Sequence, residues 1–206
     1  MSMQTKSFLL LFSLLLTLPQ SALAGEYEVT PIYGYSVGGQ FASADKQDTY
    51  DLSEEANYGL ILGIRDHSQT EAFYELLYSH QKTSLEGDGT VFDGDSRFDV
   101  DISYLHLGGR YGTTGEPVNP YLAGGIGATH FDPERGEAET RFSFSLGAGL
   151  MLPLGEHAAL RLEGRGFGTL FNSRGEIFCV DGNCSVRIDS DLFWQFSGFA
   201  GLAISF

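Results

Sequence analysis

Apolar and polar side chains alternate with a period of two along most of the chain. In residues 141–152 the even positions are apolar, beginning with Phe142, Phe144 and Leu146, whereas the odd positions from Ser143 to Gly149 hold only Ser or Gly. The last segment, residues 191–206, repeats the pattern. Because successive side chains of a β-strand point to opposite faces, the pattern predicts strands that have one apolar face.

Eight segments of this kind follow one another, and the connections between them alternate in length. We predict strands at residues 26–40, 57–66, 70–82, 98–112, 119–132, 140–152, 158–172 and 191–206. Short turns follow the second, fourth and sixth strands, whereas the remaining connections are mostly longer, polar and acidic. Tight turns on one side and long loops on the other are typical of an up-and-down barrel.

The first 24 residues have the composition of a secretory signal peptide. Lys6 precedes an apolar run over residues 8–18, and Ala22-Leu23-Ala24 matches the small-residue cleavage rule. That run is too short to cross a bilayer as a helix. We therefore expect residues 1–24 to be removed and residues 25–206 to form a single mature domain.

Composition excludes two classes of protein. The chain has 12 Lys and Arg against 27 Asp and Glu, a formal net charge of -15, so it lacks the basic surface that nucleic acids require. After the leader, no stretch approaches the roughly 18 consecutive apolar residues of a membrane-spanning helix. Any membrane span of the mature chain must therefore be formed by β-strands.

On several strands the face opposite the apolar one carries charged residues. This distinguishes a β-barrel in a lipid membrane from a soluble β-sandwich. A dry core of this size would not tolerate unpaired charges, and strands of 12 residues or more suit a tilted membrane span. The sequence thus predicts an all-β protein, an eight-stranded antiparallel up-and-down transmembrane β-barrel. Its lumen is expected to be a packed polar plug in which Arg161 and Arg165 pair with carboxylates. Six charged side chains form the expected cluster: Arg65, Glu71, Glu75, Arg161, Glu163 and Arg165.

The fourth and fifth strands fit this pattern less well. Val100, Ile102 and Tyr104 share one parity, but Leu105 and Leu107 have the other. Two explanations remain open at this point. A β-bulge could shift the register, or apolar side chains could fill the interior at that level.

Two cysteines and a few polar residues are the remaining candidates for chemistry. Cys179 and Cys184 flank Asp181-Gly182, a preferred hairpin turn, and we expect them to form a disulfide in an oxidising compartment. The five His residues lack metal-ligand spacing, and the acidic segment 86–101 is interpreted as a solvated loop rather than a Ca²⁺ site. We expect no cofactor.

Several motifs resemble those of a known family. Leu107-Gly108-Gly109-Arg110-Tyr111 ends the fourth strand, the run from Asn119 to Gly127 opens the fifth, and Phe206 ends the chain. Together with the cleavage motif, these resemble small outer-membrane β-barrels of Gram-negative bacteria, of the OmpA/OmpX and opacity-porin type. The resemblance implies that Leu202, Ile204 and Phe206 form the signal read by the β-barrel assembly machinery.

The resulting prediction is a non-catalytic integral outer-membrane protein with acidic surface loops and a structural or surface-interaction role. Its expected partners are outer-membrane lipid, lipopolysaccharide and the assembly machinery; the surface ligand stays unknown, and the chain is expected to be monomeric. The alternatives are a small-solute porin-like channel, a lipid-modifying enzyme that groups His80 with Ser79 and Glu86 at the rim, and a soluble lipocalin-like barrel with an apolar interior.

Overall fold

The computed structural model describes residues 27–42, 49–68, 71–87, 97–134, 137–171, 176–180, 183–187 and 192–206. The predicted signal peptide lies outside these ranges and stays a prediction. The described residues contain twelve strands: β1 (Tyr27–Val37), β2 (Gln40–Ala42), β3 (Thr49–Leu52), β4 (Glu55–Arg65), β5 (Ala72–Gly87), β6 (Arg97–Gly112), β7 (Asn119–Pro133), β8 (Glu139–Pro153), β9 (Ala158–Leu170), β10 (Glu176–Val180), β11 (Asn183–Arg187) and β12 (Leu192–Ser205). No helix in the described part of the chain is long and apolar enough to cross a membrane.

Eight of these strands close into an antiparallel barrel in the order β5-β4-β1-β12-β9-β8-β7-β6, and β6 pairs back onto β5. They correspond to the eight predicted strands, so the predicted fold is confirmed. Strands β2 and β3 extend the sheet beyond one end of the barrel, and β10 and β11 form a separate hairpin. We call the end with the short connections 66–71, 113–118 and 154–157 the turn end, and the opposite end the loop end.

The strands are staggered by ten residues around the barrel. Following directly paired residues from Tyr27 leads through Ile64, Tyr74, Gly109, Gly124, Leu146, Gly166 and Phe196 back to β1 at Val37. A closed sheet with this stagger has strongly tilted strands. Residues that are far apart along the chain therefore share one level of the interior.

The outward face is apolar and the inward face contains most of the buried polar groups. Leu146 is 67% exposed on the outer surface, whereas its neighbour Ser145 is 1% exposed on the inside. The same alternation holds in β12, where Trp194 and Phe196 are exposed and Gln195 is buried. This distribution is opposite to that of a soluble lipocalin-like barrel, so that alternative is wrong.

Strands β6 and β7 contain no bulge among their described pairs. Their register runs without interruption from Val100, opposite Pro133, to Gly112, opposite Tyr121. Ile102 and Tyr104 point inward and are almost fully buried, whereas Leu105 and Leu107 lie on the outer surface. The change of parity therefore reflects an interior filled by apolar side chains, and the bulge explanation is wrong.

The interior has two layers. Towards the loop end it is filled by apolar side chains that form one cluster: Ile32, Leu52, Ile61, Leu77, Val100, Ile102, Tyr104, Phe131, Phe167, Phe171, Phe193 and Phe199. Towards the turn end it holds the buried charged groups, which come from strand segments close to the short turns.

Candidate functional site

Six charged side chains form the layer near the turn end, and we call them the interior charge cluster. Its members are Glu28, Glu75, Glu163, Arg110, Arg161 and Arg165. None of these residues is more than 8% exposed. Three carboxylates face three guanidinium groups, so the formal charges balance, as burial in a barrel interior requires.

The alternation of strand side chains places these groups on the inside. Arg161, Glu163 and Arg165 occupy every second position of β9 and so share its inward face. Glu28 and Glu75 lie at one level of the barrel, with Gly63 between them on β4. Gly108 continues this level on β6, where a Cβ atom would lie 1.9 Å from the backbone oxygen of Gly124 on β7.

Arg161 joins two opposite walls of the barrel. Its Nη1 and Nη2 donate to the two carboxylate oxygens of Glu75 at 2.7 and 3.0 Å. Strands β9 and β5 are four places apart in the ring of eight, so this pair crosses the full width of the lumen. Nη2 also donates to Glu163 at 2.6 Å, and the hydroxyl of Tyr121 donates to the same carboxylate oxygen at 2.7 Å.

A second ion pair links β6 to β1. Arg110 donates from Nη1 and Nη2 to the two oxygens of Glu28 at 2.7 and 2.8 Å. Two guanidinium groups contact the ring of Phe73: the Cζ of Arg110 lies 4.0 Å and that of Arg65 4.9 Å from its centroid. Cation–π contacts of this kind stabilise charges that are partly removed from water.

Arg165 completes the cluster with fewer contacts. Its Nε donates to Glu163, and its Nη2 lies 3.9 Å from a carboxylate oxygen of Glu75. Although it is buried, Nη2 has no hydrogen-bond partner among the described atoms.

Four of the six predicted lumen charges lie in the cluster: Glu75, Arg161, Glu163 and Arg165. Arg65 lies at its edge, half-buried against Phe73. The placement of Glu71 in the lumen is wrong. It precedes β5, is exposed, and accepts a hydrogen bond from the hydroxyl of Tyr111 at 3.0 Å.

Sequence reasoning missed Glu28 and Arg110 as members of the cluster. Glu28 lies between the apolar residues Tyr27 and Val29, so alternation places it on the polar face of the first strand, but alternation does not identify its partner. Arg110 has the same parity as Val100 and Ile102, so extending that parity along β6 would have placed it inside.

A hydrogen-bonded layer separates the cluster from the apolar half of the interior. The two ring nitrogens of His106 lie 2.9 Å from the hydroxyl of Ser145 and 2.8 Å from that of Ser143. Beside it, the hydroxyl of Tyr104 donates to Oε1 of Gln195 at 2.9 Å. These side chains are almost completely buried and satisfy one another's polar atoms.

Aromatic rings fill the interior at the loop end. Phe131 contacts Phe171 and Phe193, with ring centroids 5.7 and 5.9 Å apart. Phe171 belongs to this layer, because it is 2% exposed and points inward. Among the described residues the lumen is therefore filled at both levels.

The predicted rim grouping of His80, Ser79 and Glu86 is not supported. Ser79 points inward and is buried, whereas His80 on the adjacent position points outward. His80 instead contacts Ser103, with Nδ1 2.9 Å from the hydroxyl oxygen. The side chain of Glu86 lies outside the described residues, as does most of the acidic segment 86–101. No cluster of metal-binding side chains occurs within the described ranges.

The remaining predicted residues lie at the two ends of the fold. The backbones of Cys179 and Cys184 are directly opposite each other in the β10–β11 hairpin. Their side chains are outside the described residues, so the disulfide stays a prediction.

Leu202, Ile204 and Phe206 all point outward and are exposed, and Phe206 pairs with Tyr27 through two backbone hydrogen bonds.

Comparisons with known proteins agree with this architecture. A family model described as the outer membrane protein beta-barrel domain matches residues 8–193. Comparison with curated protein sequences gave no match.

Three solved structures of outer-membrane proteins share the fold. Neisserial surface protein A is 14% identical, with 87% of this chain and 97% of that chain covered and a TM-score of 0.60. OprG of Pseudomonas aeruginosa is 12% identical, with coverages of 91% and 98% and a TM-score of 0.61. AlkL, determined in lipid bilayers, is 14% identical, with coverages of 92% and 94% and a TM-score of 0.50.

Proposed function

This chain belongs to the outer-membrane β-barrel protein family, and from that premise we propose that it is a closed, non-catalytic barrel with a structural or surface-interaction role. The short turns then face the periplasm and the long connections face the outside, as in other barrels of this membrane. The role resides in the surface presented at the loop end, whose ligand is unknown, and not in transport through the lumen.

The observation that carries this proposal is the ion pair between Arg161 and Glu75. It crosses the whole lumen, and Arg161 is completely buried. An ion that entered from the turn end would have to separate this pair in a medium of low dielectric constant, which is costly. The aromatic side chains Phe131, Phe171 and Phe193 obstruct the loop end in addition.

The exterior supports stable residence in lipid. Exposed apolar side chains occur on every barrel strand, and Leu202, Ile204 and Phe206 continue this surface to the end of the chain. We infer that outer-membrane lipid and lipopolysaccharide surround the protein and that the assembly machinery reads those three residues. A monomer is sufficient for this role, because each of the eight barrel strands pairs with a neighbour on both sides.

Single-channel recording in planar bilayers tests the closed lumen. The wild-type protein is expected to give no stable conductance. Arg161→Ala removes both cross-lumen contacts, but the aromatic side chains still fill the loop end. Discrete openings are therefore expected when Arg161→Ala is combined with Phe131→Ala. Glu75→Gln keeps the volume of the side chain and weakens the same pair, so it serves if Arg161→Ala does not fold. Lys82→Ala is the control, because Lys82 pairs with Asp101 on the outer surface.

A stable, large conductance of the wild-type protein would contradict the proposal and would favour the small-solute channel instead. Recordings without openings from both cluster variants, each combined with Phe131→Ala, would also count against it, because the ion pair and the aromatic layer would then not be what closes the lumen.

A further inference from the structure

A shallow groove crosses the outer surface of the barrel along one row of directly paired residues. The row runs from Tyr111 through Leu122, Ala148, Gly164 and Gly198 to Tyr35, across six neighbouring strands. At a spacing of about 4.8 Å between strands, its length is about 24 Å. Because the strands are tilted, the row descends obliquely towards the turn end.

Small side chains form the floor of this groove. Ala148, Gly164 and Gly198 are consecutive in the row, and a Cβ atom added at Gly164 or Gly198 would meet no other atom within 4 Å. Leu146 and Phe196 stand on one side of the floor and are exposed. The open space is therefore a depression in an apolar, lipid-facing surface.

Two cavities meet along the groove at Ala148. One, of about 660 Å³, lies above Gly164 and Gly198 and is bounded by Tyr35 and Phe196. The other, of about 570 Å³, continues past Leu122 to the turn end. Together they join the apolar middle of the barrel wall to the periplasmic edge.

The periplasmic mouth of the groove carries a single charged side chain. Glu71 lines the second cavity with Tyr111 and Thr113, and the hydroxyl of Tyr111 donates to its carboxylate. No Lys or Arg lines this cavity among the described residues. The mouth is thus suited to a cationic group and unsuited to an unaccompanied anion.

We propose that this groove binds a phospholipid of the periplasmic leaflet that has a primary ammonium in its headgroup. One acyl chain lies over Ala148, Gly164 and Gly198, and the ammonium pairs with Glu71. A flexible chain can pass beside Leu122 and Leu146, which are 69% and 67% exposed and would hold the flat wall of a second barrel away. A second copy would also leave Glu71 without a cation.

The test uses the processed full chain, reconstituted in vesicles with equal amounts of phosphatidylethanolamine and phosphatidylglycerol. Lipids retained after detergent extraction are counted by native mass spectrometry. One bound phosphatidylethanolamine is expected, favoured about two- to five-fold over phosphatidylglycerol, the range that an exposed ion pair provides.

Two pairs of variants separate the chain contact from the headgroup contact. Ala148→Leu fills the groove and should reduce retention of both lipids to background, whereas Ala128→Leu, the same change on the outer face of β7, should retain lipid as the wild type does. Glu71→Gln should keep a bound lipid but lose the headgroup preference, and Glu156→Gln, in another periplasmic turn, should keep the preference. Gly164→Leu repeats the first test at a site with open space.

Three results would overturn the proposal. They are unchanged lipid retention in both Ala148→Leu and Gly164→Leu, a preference of the wild type for phosphatidylglycerol, and a dimer in the wild-type spectrum that Ala148→Leu abolishes. The last result would assign the groove to a second copy of the chain.

Discussion

Arg110 on β6 and Glu28 on β1 are 82 residues apart in sequence and form a bidentate ion pair inside the barrel. Both side chains are at least nine-tenths buried. Their contact depends on the ten-residue stagger of the closed sheet, which brings the start of the first strand to the level of the end of β6. A measurement of this ion pair therefore tests both the register of the barrel strands and the burial of the two side chains.

Exchanging the charges of this pair tests its contribution to folding. Glu28→Arg or Arg110→Glu alone leaves like charges facing each other in the interior, and each should lower the free energy of unfolding by about 3–5 kcal/mol. The double variant should recover at least half of that loss. Urea titration of the protein in lipid vesicles measures all three values.

The control for this exchange is the outer-surface pair of Lys82 and Asp101, 2.8 Å apart. Lys82→Ala should change the free energy of unfolding by less than about 1 kcal/mol, because the side chain of Lys82 is largely exposed. A double exchange of Glu28 and Arg110 that is no more stable than the single variants would disprove direct pairing.

The depth of a charge on the outer face should determine its cost. Leu146 lies in the middle of β8 and points outward, so Leu146→Arg should cost about 2–4 kcal/mol in a bilayer. Thr140→Arg, on the same face of the same strand but near the loop end, should cost about 0–1 kcal/mol. Equal costs in the same urea experiment would show that Leu146 is not near the membrane midplane.

Two glycines at the seam between β1 and β12 should differ sharply in their tolerance of a methyl group. A Cβ atom at Gly34 would lie 2.2 Å from the backbone oxygen of Gly198, whereas one at Gly198 would meet nothing within 4 Å. Gly34→Ala should therefore cost about 1–3 kcal/mol through forced backbone movement, and Gly198→Ala should be close to neutral. Similar unfolding midpoints for the two variants would contradict the close contact between β1 and β12 at Gly34.

The predicted disulfide can be tested by alkylation. The exported protein, denatured without reductant, should take up no iodoacetamide at Cys179 or Cys184, and two equivalents after reduction. In the chain-entropy model, a disulfide that closes such a short loop contributes about 2 kcal/mol to the free energy of unfolding. Alkylation of both cysteines before reduction would show that the hairpin is not cross-linked.

Alternation along single strands was enough to predict the outward face. It placed Leu146 outside and Ser145 inside, and it put Arg161, Glu163 and Arg165 on one inward face. These predictions need only the local geometry of a strand, in which neighbouring side chains point in opposite directions.

The sequence pattern could not predict which side chains pair across the lumen. Which residue meets Glu28 depends on the stagger of the closed sheet, and no local signal encodes that quantity. Glu71 shows the same limit at the end of a strand. Its parity along the chain predicts that it points inward like Glu75. However, β5 begins one residue after Glu71, so its side chain lies in the turn and is exposed at the surface.

The central claim is that the apolar outer face contacts lipid acyl chains, and the single tryptophan of the chain allows it to be measured directly. Fluorescence quenching by phospholipids brominated at defined depths should be strong for Trp194 with shallow bromines. For Leu146→Trp in a Trp194→Phe background, it should be strong with bromines near the chain ends. Iodide in the buffer should quench neither protein appreciably. Efficient quenching by iodide, with no effect of the brominated lipids, would contradict the account.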